Sequence, residues 1–274
     1  MSDLVDIFKE ALIYPISNII VLLTIGLLLV VSNLTGILYV FGIDLYNSAF
    51  SFILSIISFI IIFLLAGYTL SVIRDAISYN VSVPKIDFKK NFVDGIKVII
   101  LEIIYYIIPA IITIIVGFLS GTFGAISNII VFFSENQGNL TVGNYTANQL
   151  IGAIPPEYVN SLMAGLTITA IVAIIVFIIF GLLAQIGICR LAKYDSFSEA
   201  LRFGQIIADI RKIGIGKYIG WYILLFILII VLSIVVAIIT AIPFIGVILS
   251  YLVCLPFLFL FTSRAIGLLY LRAQ

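Results

Sequence analysis

Six times between residues 17 and 271 the sequence settles into an apolar run of the length that a lipid bilayer demands. A helix needs about 20 mostly apolar residues to cross the hydrocarbon core, because each residue advances it by only about 1.5 Å. The runs lie near 17–41, 49–73, 95–119, 162–188, 218–242 and 244–271. In lipid the backbone must satisfy its own hydrogen bonds, so a single run of this length spans as a helix. The predicted fold class is all-α: a polytopic integral membrane bundle of about six transmembrane helices, forming a single transmembrane domain over residues 1–274.

Composition agrees with the runs. The chain is 64% hydrophobic and 10% charged, against roughly 45–50% and about 25% in soluble domains. A soluble fold of this size cannot bury the excess, so the bilayer is its natural solvent. Net charge is +1, which removes any general attraction to nucleic acid. Histidine is absent, and with it the commonest general base and metal ligand. Cys189 and Cys254 stand far apart and read as small packed hydrophobes. No catalytic residue, metal ligand or cofactor is nominated. The N-terminus carries Asp3, Asp6 and Glu10 against Lys9, and its apolar run is too long for a cleaved signal.

The basic residues set an orientation. All 14 fall at the N-terminus (Lys9), in the second and fourth connections, or in the last span and C-terminal tail (Arg264, Arg272). The second connection holds Arg74, Lys85, Lys89, Lys90 and Lys97; the fourth holds Arg190, Lys193, Arg202, Arg211, Lys212 and Lys217. The other three connections hold none. Basic loops stay in the cytoplasm, so both termini are expected there (N-in/C-in), in a multi-pass protein of the cell membrane. The outer segment 134–160 carries two sequons, at Asn139 and Asn144, as candidate glycosylation sites. Ahead of it, 121–133 is apolar but too short to span. It reads as interfacial or re-entrant after a break at Ser120, Gly121 and Gly124, and about 120–160 reads as an extracellular insertion.

Two cytoplasmic-surface amphipathic helices are expected. In 197–212, Ala200, Phe203, Ile207 and Ile210 repeat at helical spacing against a polar face of Ser198, Arg202, Gln205, Asp209 and Lys212. Phe203 and Ile207 should be buried against lipid or bundle, with Arg202 and Asp209 exposed; Ser196 and Glu199 would form a capping box. The second holds Leu4, Phe8 and Leu12 and stops near Pro15. Spans two and three resemble spans four and five with their basic connections, a parallel repeat that places Arg74 and Arg190 at matching ends.

Most motifs reduce to packing. The stretch 212–217 lacks the spacing and the Ser or Thr of a phosphate loop. Gly26, Gly67, Gly165 and Gly181 read as points of close helix approach. Pro243 should end a helix, and Pro109 and Pro256 should bend theirs. Glu102 and Arg264 are the candidate intramembrane charge pair, both about 10 Å deep by rise per residue, with Arg74 as the rival partner of Glu102.

Ile7–Pro15 (IFKEALIYP), Gly67–Ile77 (GYTLSVIRDAI), Val83–Ile111, Phe197–Gly214 (FSEALRFGQIIADIRKIG) and Ile242–Tyr270 together resemble an archaeal family known as domain of unknown function 4013. The resemblance covers the chain except 120–160 and implies an uncharacterised multi-pass membrane protein with no activity to carry over. The expected function is non-enzymatic: a small carrier or channel-like protein, or a membrane scaffold. The alternative is a membrane enzyme acting on lipid at the inner leaflet. Membrane lipids are the expected partners. A midplane cavity would favour transport; a polar pocket at headgroup level with converging Asp, Arg and Tyr would favour the enzyme; a sealed bundle would favour the scaffold.

Overall fold

The computed structural model describes residues 2–45, 49–136 and 152–273. Among these, every regular element is helical. The order is α1 (Ser2–Ile13), a 3-10 turn (Tyr14–Ser17), α2 (Ile19–Ser32), α3 (Leu34–Val40), α4 (Ala49–Ile77), α5 (Phe88–Leu119) and α6 (Thr122–Glu135). Then follow α7 (Pro156–Tyr194), α8 (Phe197–Ala200), α9 (Phe203–Ile213), α10 (Ile215–Thr240) and α11 (Ile245–Leu271). The helices α4, α5, α7, α10 and α11 are each long and apolar enough to cross a membrane.

The sixth candidate span is bent. Leu4–Ser17 and Ile19–Ser32 meet at 81°, because Pro15 lacks an N–H and Asn18 caps the new helix by accepting from the Val21 N–H at 3.2 Å. The apolar run near 17–41 therefore divides at Asn33 into α2 and α3, and α2 alone reaches only about 21 Å.

The chain forms two compact parts, Met1–Glu102 with Leu183–Gln274, and Ile103–Leu182. In the first, glycines let backbones touch. A Cβ on Gly67 would overlap the Asn91 carbonyl oxygen, one on Gly95 the Phe63 carbonyl, and one on Gly26 the Leu252 carbonyl. Such approaches are how helices pack in lipid, where burial of apolar surface offers no drive. Ser250–Cys254 forms a π-helical turn inside α11; its wider loop accommodates Pro256 just beyond, which has no N–H to donate. Pro109 sits within a helix that runs on to Leu119, and Pro243 falls in the turn before α11.

The second part confirms a break at Gly121, whose φ of +78° suits a residue without a Cβ. Gly124 lies inside α6 and breaks nothing. Gly165 packs on Thr122, while a Cβ at Gly181 would meet only the Tyr106 hydroxyl, at 3.6 Å. Ser120, Thr122 and Thr169 form a closed hydroxyl cluster at 2.8–3.1 Å. Asn139 and Asn144 lie outside the described residues.

The amphipathic segment 197–212 differs from expectation. It is two helices, α8 and α9, and the capping box does not form: the Ser196 side chain makes no cap bond. The buried face of α9 is Ile206, Asp209 and Ile213, so Asp209 is not exposed; Phe203 and Ile207 face away from the bundle, which leaves lipid, the other surface expected for them. Arg202 is exposed as expected. Asp209 turns inward because a buried arginine claims it.

Candidate functional site

Charges gather at one end of the first part. Arg74 donates from Nε to the Ala192 carbonyl at 3.1 Å and pairs with Asp94 at 3.4 Å. Arg190 donates from Nε to the Glu199 carbonyl at 2.8 Å and pairs with Asp209 at 2.7 Å and Glu199 at 2.5 Å. The two arginines match in context. Each precedes its aspartate by 20 or 19 residues, and each is followed five residues later by a left-handed residue, Tyr79 (φ 56°) or Asp195 (φ 50°). The parallel repeat read in the sequence is thus present in backbone conformation and in ion pairing.

A third arginine completes the belt. Arg264 pairs with Glu10 at 2.5 Å, donates to the Asn80 carbonyl at 2.6 Å and lies over the Tyr14 ring at 4.8 Å. The expected Glu102–Arg264 pair is not formed, and Arg74 does not replace Arg264 as partner of Glu102. The 81° bend folds α1 back under the bundle, and so delivers Glu10 to a residue 254 positions away. Lys97 joins Asp94 at 3.3 Å to Asp195 at 2.7 Å, and the Tyr270 hydroxyl donates to Asp209 at 3.0 Å. Charges paired and bonded in this way hold the ends of α1, α4, α5, α7, α9 and α11 in one arrangement.

Glu102 opens instead onto a small cavity of about 170 Å³, whose polar lining is Thr69, Glu102, Gln185, Thr262 and Ser263. Among the described residues no cation pairs with Glu102. The hydroxyl protons are already placed: Thr69 donates to Leu65, Thr262 to Leu258 and Ser263 to Phe259, each to a backbone carbonyl four residues back. What these side chains still offer is oxygen lone pairs, joined by the Gln185 amide oxygen and one carboxylate. Hard cations and protons prefer such donors. Thr69, Glu102 and Gln185 each stand five residues deeper than Arg74, Lys97 and Arg190, or about 7.5 Å by helical rise. The cavity therefore lies among the apolar residues of its helices, a little over one helical turn beyond the charged belt. Among the described residues no three His, Cys, Asp or Glu side chains converge.

Sequence reasoning found Glu102 but not the four residues around it. A signal existed for two: Thr69 and Gln185 are polar positions at the same offset from the repeat arginines. Thr262 and Ser263 carried none, since hydroxyls bonded to their own helix are common in spans.

A second polar cavity, of about 400 Å³, lies beside the Arg264 pair and includes Asp6, Glu10, Tyr79 and Arg272. Its central guanidinium is already occupied by Glu10 and the Asn80 carbonyl.

A family model described as "Protein of unknown function (DUF4013)" matches residues 50–242. The match includes 120–160 and both repeat arginines, and it leaves out Ile7–Pro15 and all of α11, which sequence reading had counted toward the resemblance. No curated protein and no solved structure matches the chain.

Proposed function

The chain belongs to the DUF4013 family, whose description names no activity, and from its own geometry we propose a multi-pass protein of the cell membrane that acts without catalysis as a small carrier, binding one proton or one monovalent cation at Glu102. The observation that carries this reading is the Glu102 cavity: one carboxylate among oxygen acceptors, within the apolar stretch of its helix, with no cation among the described residues to neutralise it. A single negative charge there balances one positive charge, and ionisable groups at such depth are costly enough to mark ion pathways. The charged end is assigned to the cytoplasm by its basic residues.

Infrared difference spectra of the full chain in liposomes test the assignment. Exchanging acid for alkaline buffer, or choline for sodium, should produce a carboxyl band that disappears in Glu102→Gln. Spectra without any band that depends on Glu102 would withdraw the ion-binding role and leave the scaffold reading. The lipid-enzyme reading has one observation of its own, the cavity with Asp6, Tyr79 and Arg264. There Arg264 is already neutralised by Glu10, whereas among the described residues Glu102 faces no cation. Phospholipid turnover abolished by Asp6→Asn would favour the enzyme.

A further inference from the structure

A separate groove runs between the start of α1, the junction of α9 with α10, and the end of α11. It encloses about 740 Å³. Its walls are apolar: Leu4, Val5, Ile213, Leu224 and Leu269. Among the described residues, the cations Lys212, Lys217 and Arg272 line it and no acidic residue does. We propose that this groove binds an anionic membrane lipid, with the phosphate headgroup held by Lys212 and Lys217 and the chains lying along the apolar wall.

Three observations meet here. The first is charge. The carboxylates at this end are largely engaged elsewhere, Glu10 with Arg264, Asp209 with Arg190, and Asp94 with Arg74. Lys217 moreover sits in the first turn of α10, whose N-cap is Gly214 with no side-chain cap; a helix start disfavours a cation and favours an anion. Like charges brought together at such a place are stabilised when a phosphate neutralises them. The second is shape. Gly216 and Gly220 stand one turn apart on α10, and a Cβ on either meets nothing within 4 Å. These glycines therefore do not serve close helix packing, unlike Gly67 or Gly95; they widen the groove. The third is amphipathy. A groove with cations on one part and aliphatic side chains on the rest suits a ligand with an anionic head and apolar chains, which a soluble phosphate is not.

Native mass spectrometry of the full chain, incubated in detergent with phosphatidylglycerol, phosphatidylcholine or inorganic phosphate, tests the site. Phosphatidylglycerol should be retained in preference to phosphatidylcholine. Each cation removed should weaken retention about fivefold, so Lys212→Gln with Lys217→Gln should weaken it about 25-fold. Gly220→Leu keeps every charge but fills the groove, and should release the lipid as well. Lys85→Gln with Lys89→Gln, at the same end but outside the groove, should change nothing. Circular dichroism checks folding of each variant; should the double lysine variant fail to fold, Lys217→Gln alone and Gly220→Leu carry the test. Equal retention of both lipids would overturn the proposal. So would retention that survives both the charge and the groove variants, or inorganic phosphate displacing the lipid, which would mark a site for a soluble anion.

Discussion

Arg264 is 1% exposed while the carboxylate of its partner Glu10 is 48% exposed, and this asymmetry sets what each substitution does. Glu10→Ala strands a buried guanidinium on one carbonyl and one aromatic ring, an arrangement expected to cost about 3 kcal/mol. Arg264→Met removes the buried charge, keeps most of the volume, and leaves a carboxylate that water can reach; below about 1.5 kcal/mol is expected. The double change should then be no worse than Glu10→Ala alone. Thermal unfolding in detergent reads all three, and a larger loss for Arg264→Met would show that packing rather than charge governs the site. Glu102→Gln strands no cation, so it should leave the melting temperature unchanged or raised. A clear drop there would reveal a partner for Glu102 that is absent from the described contacts.

At the scale of elements, the crossing of α4 with α5 depends on two glycines set opposite each other's backbones. Gly67→Ala would drive a methyl into the Asn91 carbonyl, so the helices must part, at about 1–3 kcal/mol for the strain. Gly124→Ala on α6 meets nothing within 4 Å and should be neutral or slightly stabilising, since alanine is the better helix former. Melting temperatures that fall equally for both would refute a packing role specific to Gly67. The segment 197–212 shows where periodicity stops being informative. Apolar spacing announced helix correctly, yet the face that turns inward was chosen by Asp209, a polar residue drawn to Arg190 at 2.7 Å. Leaving the buried Arg190 without its carboxylate would cost more than burying one more aliphatic side chain gains, and the apolar spacing of 197–212 does not reveal that partner.

Across the whole molecule, the grouping of Lys and Arg at one end coincides with the ends of the helices that the belt ties together. With Cys189 and Cys254 replaced by alanine, Asp87→Cys and Gln205→Cys should resist an impermeant thiol reagent applied to intact cells, and Glu157→Cys should react. Labelling at 205 from outside would reverse the orientation. Most of the spanning surface remains apolar and open to lipid: the most apolar stretch of α7 has no residue buried inside the protein.

The sequence by itself determined the solvent, the helical class and the approximate spans of α4, α5, α7, α10 and α11, because bilayer thickness and backbone hydrogen bonding leave few choices for runs so apolar. It also showed the repeat, since Arg74 and Arg190 sit at matching positions in matching surroundings. Tertiary structure alone decided the rest. How the chain enters the first apolar run depends on Pro15 and on the Asn18 cap, and the bend there sends Glu10 to Arg264. That contact leaves Glu102 without the partner that depth alone would have assigned to it. Depth along a helix follows from counting residues, but azimuth and neighbours follow from how helices cross, and at Gly67, Gly95 and Gly26 the crossing is set by backbone touching backbone.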